Sequence, residues 1–262
     1  MTLTLNKALD QIRGRPWVAA AVGLSPLAVY IYRSYCDFHR LGPSGVPQSF
    51  LGYLFQASAR PWADLNSTNP APFRDPKALT DYTAPYDSFR FFAEDDSLPV
   101  RRGDRPTVPS YTVPQRQTSE VADVALITRM NAWLLALQDK NPGLLAYRNS
   151  NLEHHDSPSL WLKVGSVALP SWLAKKTRGE IVHVHNEGSS HMVLSVADAD
   201  LATRKGWAQR HAFSGRLGIL PLTYVLIYAP RDEAEFEQWK AFVKATVSFT
   251  SAGSGIEADY DI

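Results

Sequence analysis

The 262-residue chain contains a single cysteine, Cys36, so it cannot form an intramolecular disulfide. Its formal net charge is only +1, and no run of basic residues supplies the local positive surplus that phosphate contacts require. We therefore expect no nucleic-acid partner. The sequence also lacks a glycine-rich phosphate loop, a nucleotide fingerprint and a Gly-x-Ser-x-Gly nucleophile elbow. These absences disfavour a nucleotide-dependent or serine-hydrolase mechanism.

Residues 17–32 form an apolar run without a charged side chain, flanked by Arg13 and Arg15 before it and Arg33 after it. Its 16 residues are fewer than the roughly 20 that span a hydrocarbon core. No small-residue cleavage site follows the run, which disfavours a secretory signal peptide, and a buried helix is the other alternative. We predict a single-pass N-terminal membrane helix, and hence a membrane protein, in an endomembrane.

The length and the 45% hydrophobic content favour one domain with appendages. Residues 1–40 are predicted to be the membrane anchor, and residues 41–118 a proline-rich irregular arm or linker. Prolines remove backbone donors and fix φ too often there for regular structure. Residues 119–250 are predicted to form the domain that carries the chemistry, and residues 251–262 a flexible tail.

Hydrophobic periodicity within residues 119–250 alternates between the helical and the strand pattern. A helix is predicted at residues 119–138, a short one at 198–205, and a last one from Asp232 to about residue 249. Strands are predicted at residues 144–155, 160–167, 180–185, 191–196 and 224–229. The pattern indicates an α+β fold, mainly an antiparallel sheet flanked by helices.

Four of the seven histidines lie in residues 180–191 (EIVHVHNEGSSH) and 206–211 (GWAQRH). Strand alternation places His183 and His185 on one face, and a short hairpin brings His191 close to His185. Three converging imidazoles could bind a divalent metal, or one could act as a general base near neutral pH. The alternative is that they are hydrogen-bonded residues on a half-buried sheet face.

The run RGEIVHVHNEGSSHMVLSVADADLATRKGWAQRHAFSG, followed by YVLIYAPRDEAEF from Tyr224, resembles the luciferase-like domain family named after the fungal luciferase. LGPSGVPQSFLGYL from Leu41, LPVRRGDRP from Leu98, TVPQRQ from Thr112 and LEHH at residues 152–155 resemble the family as well, in the same order. The resemblance covers roughly residues 41–250. The loop after His185 differs from the luciferase pattern, so we expect a pocket of different shape.

The resemblance implies addition of O2 to a hydroxylated pyrone, 3-hydroxyhispidin, through a peroxidic intermediate that loses CO2 and emits light, with no organic cofactor. The expected function is thus a cofactor-independent, monooxygenase-type oxidoreductase acting on a small polyketide or pyrone-type enol in fungal secondary metabolism, with O2 as co-substrate. The alternatives are a non-oxidative cyclase, decarboxylase or hydrolase, a His-ligated metalloenzyme holding a divalent metal, and a binding protein with the same fold.

Such chemistry requires a base for the enol proton and a positive group for the resulting anion. We predict His183 or His185 as the base and Arg210 as the anion partner. Other polar residues are predicted to orient these groups or to ligate a metal, namely His191, His211, Glu153 and Glu180. No metal is the first expectation, and His183, His185 and His191 form the alternative ligand set.

Three further residues are predicted to contact the substrate: Trp207, Arg231 and His155. Trp207 would form a wall of the pocket, and its alternative role is that of an ordinary core tryptophan. Arg231, in the Ala-Pro-Arg-Asp segment, has an alternative role as an ion-pair partner near the last helix.

Overall fold

The core of the fold is an antiparallel sheet. A computed structural model describes residues 16–93, 97–153, 157–163 and 169–262, and side chains from residue 24 onward. The strands of the described part are β1 Leu145–Asn149, β2 Pro158–Leu162, β3 Glu180–Val184, β4 Ser190–Val193, β5 Ala208–Arg210 and β6 Tyr224–Ile227. Their spatial order is β1-β2-β3-β4-β6-β5, and each neighbouring pair is antiparallel.

Helices flank this sheet. They are α1 Pro16–Arg40, α2 Phe50–Ser58, α3 Val124–Lys140, α4 Ser171–Lys176, α5 Val196–Arg204 and α6 Glu233–Ser251, with 3-10 turns at Arg60–Trp62 and Ala71–Arg74. Four of the helices begin after an acidic or hydroxyl residue whose side chain accepts a backbone hydrogen bond. These residues are Ser49 before α2, Asp123 before α3, Ser195 before α5 and Asp232 before α6. The capping residue thus fixes where each of these helices starts.

One face of the sheet is covered by α3 and α6. Trp239 of α6 donates a hydrogen bond from Nε1 to the hydroxyl of Ser190 in β4, at 3.0 Å. Its ring lies 6.0 Å from that of Trp133 in α3, so the two helices pack side by side. Val182 of β3 is opposite Met192 of β4 and belongs to the same buried apolar core. Because side chains alternate along a strand, the neighbouring pair, His183 of β3 and His191 of β4, faces the other side of the sheet.

The proline-rich segment lies against the domain through specific hydrogen bonds. The backbone N–H of Asp64 donates to the carbonyl of Ala212 at 2.8 Å, and those of Phe91 and Phe92 donate to the buried carboxylate of Asp198. Its described part is irregular apart from α2 and the two 3-10 turns. These three backbone donors are thus paired without a strand ladder.

The predicted membrane helix is wrong, and with it that part of the fold class and the membrane localisation. None of the helices in the described ranges is both long and apolar enough to cross a membrane. The uncharged run of residues 17–32 falls within α1, but the rest of that helix carries Arg33, Asp37 and Arg40. Phe38 is 2% exposed and packs against Tyr53 and Tyr111, so this end of α1 packs against the protein.

Candidate functional site

The hairpin of β3 and β4 gathers three histidines on the sheet face opposite α6. His183 and His191 are direct cross-strand partners, and His185 follows β3 by one residue. The ring centroids of these histidines are 4.9–5.3 Å apart, and all three side chains are buried. The tight loop between them includes Gly188 at φ +93°, a left-handed conformation that glycine adopts without strain. The hairpin therefore brings His191 close to both His183 and His185, as the alternation indicated.

Glu153 extends toward these three histidines from the loop that follows β1. Glu180 holds this loop, because its carboxylate accepts hydrogen bonds from the hydroxyl of Ser150 at 2.6 Å and from the backbone N–H of Asn151 at 2.9 Å. The hydroxyl of Ser150 in turn accepts from the N–H of Glu153 at 2.9 Å. Buried hydrogen bonds of this kind fix the backbone from which Glu153 projects.

Glu153, His183, His185 and His191 form a cluster that we call the His centre. One ligand atom from each of them lies within 4.8 Å of the other three. Glu153 Oε1 is 3.6 Å from His183 Nε2 and 3.5 Å from His185 Nε2. These separations exceed those of charge-assisted hydrogen bonds, which are about 2.7–2.9 Å. The four groups therefore surround a common point without being hydrogen-bonded to one another.

The hydrogen bonds at the outer nitrogens define which ring nitrogen carries the proton. His183 Nδ1 is 2.8 Å from the Glu180 carboxylate, which can only accept, so Nδ1 donates. The hydroxyl of Ser189 donates its proton to Glu187 and so accepts from His185 Nδ1 at 2.8 Å. In the neutral tautomers, Nε2 of both rings then carries a lone pair. Both Nε2 atoms are buried without a hydrogen-bond partner among the described residues.

A buried arginine holds the far side of Glu153. Arg116 Nη2 lies 2.7 Å from Glu153 Oε2 and Arg116 Nη1 lies 3.3 Å from Oε1, the oxygen that also faces the imidazoles. The same Nη2 donates to the carbonyl of Pro43 at 2.9 Å, and Arg116 Nε is 3.8 Å from Glu187. Arg116 thus connects the carboxylate of the His centre to the segment 43–48 that lies over it.

Burial and charge act in opposite directions on these groups. Burial disfavours the charged form of Glu153, but Arg116, His183 and His185 together outweigh it and hold the pKa of Glu153 well below its ordinary value. Burial also opposes the charge on His183, but the neighbouring carboxylates of Glu153 and Glu180 prevail and raise its pKa to about 9. Burial and the neighbouring imidazoles hold the pKa of His191 well below its usual range. The centre therefore favours at least one positive charge while keeping His191 neutral.

A cavity of about 260 Å³ opens beside the His centre. Its polar lining residues are Gln115, Asn151, Glu153, His191, His211 and Tyr224, and its apolar ones are Val46, Val113, Leu152, Phe213, Ile219 and Leu220. An apolar pocket with a few convergent polar groups is the usual form of a small-molecule site, and this volume suits a small ligand. His183 and His185 are not among the lining residues and lie behind Glu153 and His191.

His211 lies at the edge of the His centre and lines the cavity. Its ring centroid is 5.3 Å from that of His191, and its Nδ1 accepts a hydrogen bond from the backbone N–H of Phe213 at 3.1 Å. Burial lowers the pKa of His211 to about 4, so the ring is neutral near pH 7. Its proton is then on Nε2, which makes His211 a hydrogen-bond donor.

Arg210, the predicted anion partner, is not brought to the His centre. Its guanidinium is buried and donates to Asp64 at 2.9 Å and to the carbonyls of Asn66 at 2.9 Å and Asn69 at 3.1 Å. The charge of Arg210 is thus compensated by acceptors on the loop formed by residues 64–69. Its proposed role toward substrate stays a prediction that this geometry does not support.

Two of the predicted substrate-contacting residues, Trp207 and Arg231, also lie apart from the cavity. Trp207 donates from Nε1 to the carbonyl of Pro99 at 2.6 Å and packs against Phe242 in the core. Arg231 binds Glu235 and the carbonyl of Arg102, near the start of α6. His155 falls outside the described residues.

Sequence reasoning did not assign a role to Arg116, Glu187 or Ser189. Arg116 lies in the TVPQRQ segment, which carried the family resemblance but has no periodicity to indicate which way its side chains point. Glu187 and Ser189 lie in the hairpin loop, directly between two of the histidines. Their position next to His185 was the available signal, because buried imidazoles need a hydrogen-bond partner at the outer nitrogen.

Comparisons with known proteins agree with the resemblance seen in the sequence. Residues 178–246 match the family described as Luciferase domain, a range that contains the three histidines of the His centre and His211. The chain is 27% identical to a luciferase of Neonothopanus nambi over 84% of its own length and 80% of that protein. It is 28% identical to a luciferase of Armillaria gallica, over 95% of this chain and 94% of the relative. The predicted resemblance to fungal luciferases is thereby confirmed.

A luciferase of Armillaria ostoyae is also 28% identical, over 88% of this chain and 85% of its own length. No solved structure matches the chain significantly. Because the alignments with these relatives cover 84–95% of the chain, the similarity extends beyond the matched domain into the arm.

Proposed function

We propose that this protein is an oxygenase of the luciferase type that adds O2 to a small enol bound in the cavity beside the His centre. The observation that carries the proposal is a small cavity directly beside buried histidines. These histidines lie within the matched domain. Relatives named luciferase supply the reaction class, since light emission of this kind consumes O2 and a small molecule.

The cavity is suited to an enol because its lining combines hydrogen-bond donors with basic groups. His211 can donate from Nε2 to the oxygen on which negative charge develops, and a neutral imidazole is a donor of this kind without a charge of its own. His191, kept neutral by burial, and ionised Glu153 are the basic groups of the lining. The apolar side chains of the lining lower the polarity of the cavity, which strengthens these interactions.

The chemical step balances without a further reductant. The enol O–H gives its proton to a basic group of the lining, and the enolate carbon then transfers two electrons to O2 as a carbon–oxygen bond forms. The enol oxygen becomes a ketone oxygen, and the proton returns to the distal peroxide oxygen. Substrate and O2 are thus converted into an α-hydroperoxy ketone.

Oxygen uptake by the purified protein with a panel of hydroxylated pyrones and related polyketide enols tests this function. We expect uptake with at least one enol, and a product 32 mass units heavier, or its breakdown products. His211→Gln should lower kcat, because the donor at the cavity is lost, whereas exposed His39→Gln should have no effect. Folded protein that consumes no O2 with any of these enols would contradict the proposal.

A further inference from the structure

We infer that Glu153, His183, His185 and His191 bind one divalent first-row transition-metal ion. Three imidazole nitrogens and one carboxylate oxygen form the proposed ligand set, and the cavity lies on the side of Glu153 and His191. This inference goes beyond the proposed function, because ion binding does not require any particular substrate.

The first argument is the orientation of the hydrogen-bonding groups. His183 and His185 each donate from Nδ1 to an outer acceptor, which turns Nε2 inward, where Glu153 Oε1 is an acceptor. Nitrogen and oxygen atoms that converge in this way in a buried space need a positive charge between them, either a proton or a metal ion. The two Nε2 atoms have no hydrogen-bond partner in the described part of the chain, and an unpaired buried polar atom is costly.

The distances give a second argument. Ligands about 2.1 Å from a tetrahedral ion lie about 3.4 Å from each other. Glu153 Oε1 is 3.6 and 3.5 Å from the two Nε2 atoms, and all four ligand atoms lie within 4.8 Å of one another. Contraction of the wider pairs by up to about 1.4 Å would complete a coordination shell.

The outer partners form a third argument. Histidines that ligate metals usually donate their other N–H to a carboxylate or a carbonyl, which fixes the tautomer and raises ligand basicity. Here the partner is Glu180 for His183, Ser189 with Glu187 for His185, and the carbonyl of Val225, 3.4 Å from Nδ1, for His191.

The charge of the surroundings matches a divalent ion. With the three carboxylates ionised and the imidazoles neutral, as metal ligation requires, Glu153, Glu180 and Glu187 contribute three negative charges, and Arg116 one positive charge. The resulting charge of −2 is offset by one divalent cation. Imidazole and carboxylate ligands favour zinc, iron, manganese, cobalt or copper over magnesium and calcium, which prefer oxygen alone.

Metal analysis of the full chain, followed by titration of chelator-treated protein with Co²⁺, tests the inference. We expect one equivalent of Co²⁺ to bind, with visible absorption bands from imidazole ligation and a rise in Tm on the order of 5 °C in excess metal. His183→Gln and Glu153→Gln should each weaken Co²⁺ binding at least tenfold. The matched variant His211→Gln removes a neighbouring imidazole outside the set and should bind Co²⁺ as the wild type does.

Absence of Co²⁺ bands and of a Tm rise in folded wild-type protein would overturn the inference. So would equal Co²⁺ affinity in the wild type and in folded His183→Gln. Circular dichroism of each variant identifies any that fail to fold, and the wild-type titration decides the question in that case. Because binding is measured without substrate, an inactive protein that takes up one Co²⁺ would contradict the proposed oxygenase and support the metal site.

Discussion

The fold contains two polar clusters, one at the β3–β4 hairpin and one at β5. They differ in whether their polar atoms have hydrogen-bond partners. In the Arg210 cluster, formed by Arg210, Asp64, Asn66 and Asn69, the guanidinium donates to acceptors that all come from one loop. In the His centre, imidazole nitrogens and a carboxylate oxygen converge, and two of the nitrogens lack a hydrogen-bond partner in the described structure. Completed hydrogen bonding indicates a structural role, whereas converging unsatisfied polar atoms indicate a binding site.

The largest effect on activity is expected from removing two imidazoles of the His centre. The double variant His183→Gln, His185→Gln should lower kcat/KM by at least about 100-fold, since loss of outer partners alone commonly costs 10–100-fold. Oxygen uptake with an active enol is the measurement, with His39→Gln as the control. Wild-type turnover by the folded double variant would refute the functional importance of the centre.

Arg210→Gln should act on stability instead. Removing one partner of a buried ion pair leaves Asp64 and two carbonyls without their donor, and we expect a loss of about 3 kcal/mol in the free energy of unfolding. Urea denaturation measures this loss, while kcat of the folded variant should stay within about twofold of the wild type. A stable but inactive variant would instead restore Arg210 to the role of anion partner.

Arg116→Gln should weaken Co²⁺ binding by about 10- to 100-fold, because Glu153 loses the group that directs Oε1 toward the imidazoles. Arg116→Lys keeps the charge but not the two-nitrogen contact with Glu153, so its affinity should lie between those of Arg116→Gln and the wild type. Equal affinity in all three proteins would show that Arg116 only anchors segment 43–48.

The smallest effect is expected from Ser189→Ala. This change removes the acceptor for His185 Nδ1 but leaves Glu187 3.4 Å from the same nitrogen, so a new direct contact can form. We expect Co²⁺ affinity to fall by up to about tenfold. The double variant Ser189→Ala, Glu187→Gln should lose more Co²⁺ affinity than Ser189→Ala alone. If it loses no more, Glu187 does not replace Ser189 as the partner of His185 Nδ1.

Strand alternation was sufficient to predict the position of the histidines. A period of two puts His183 and His185 on one face, and a short loop leaves little freedom for where His191 pairs. The start of α6 after Asp232 was equally predictable from its capping residue. These features depend on residues close together in the sequence.

The features that depend on distant contacts were missed or mistaken. Arg116 meets Glu153 across 37 positions, and no local pattern encodes that pairing. Strand β5 has only three residues and pairs with β6 at the sheet edge, so its alternation is too short to detect. The apolar run in α1 has the composition of a membrane segment, and the packing of Phe38 on Tyr53 and Tyr111 is a tertiary contact.

X-ray absorption spectroscopy of the cobalt-loaded chain most directly tests the difference between the two clusters. The His centre predicts about three nitrogen and one or two oxygen scatterers near 2.1 Å, with the multiple-scattering signal of imidazole rings. The same measurement on His183→Gln should lose one imidazole contribution. A spectrum of oxygen ligands alone, unchanged by that substitution, would contradict ion binding at the His centre.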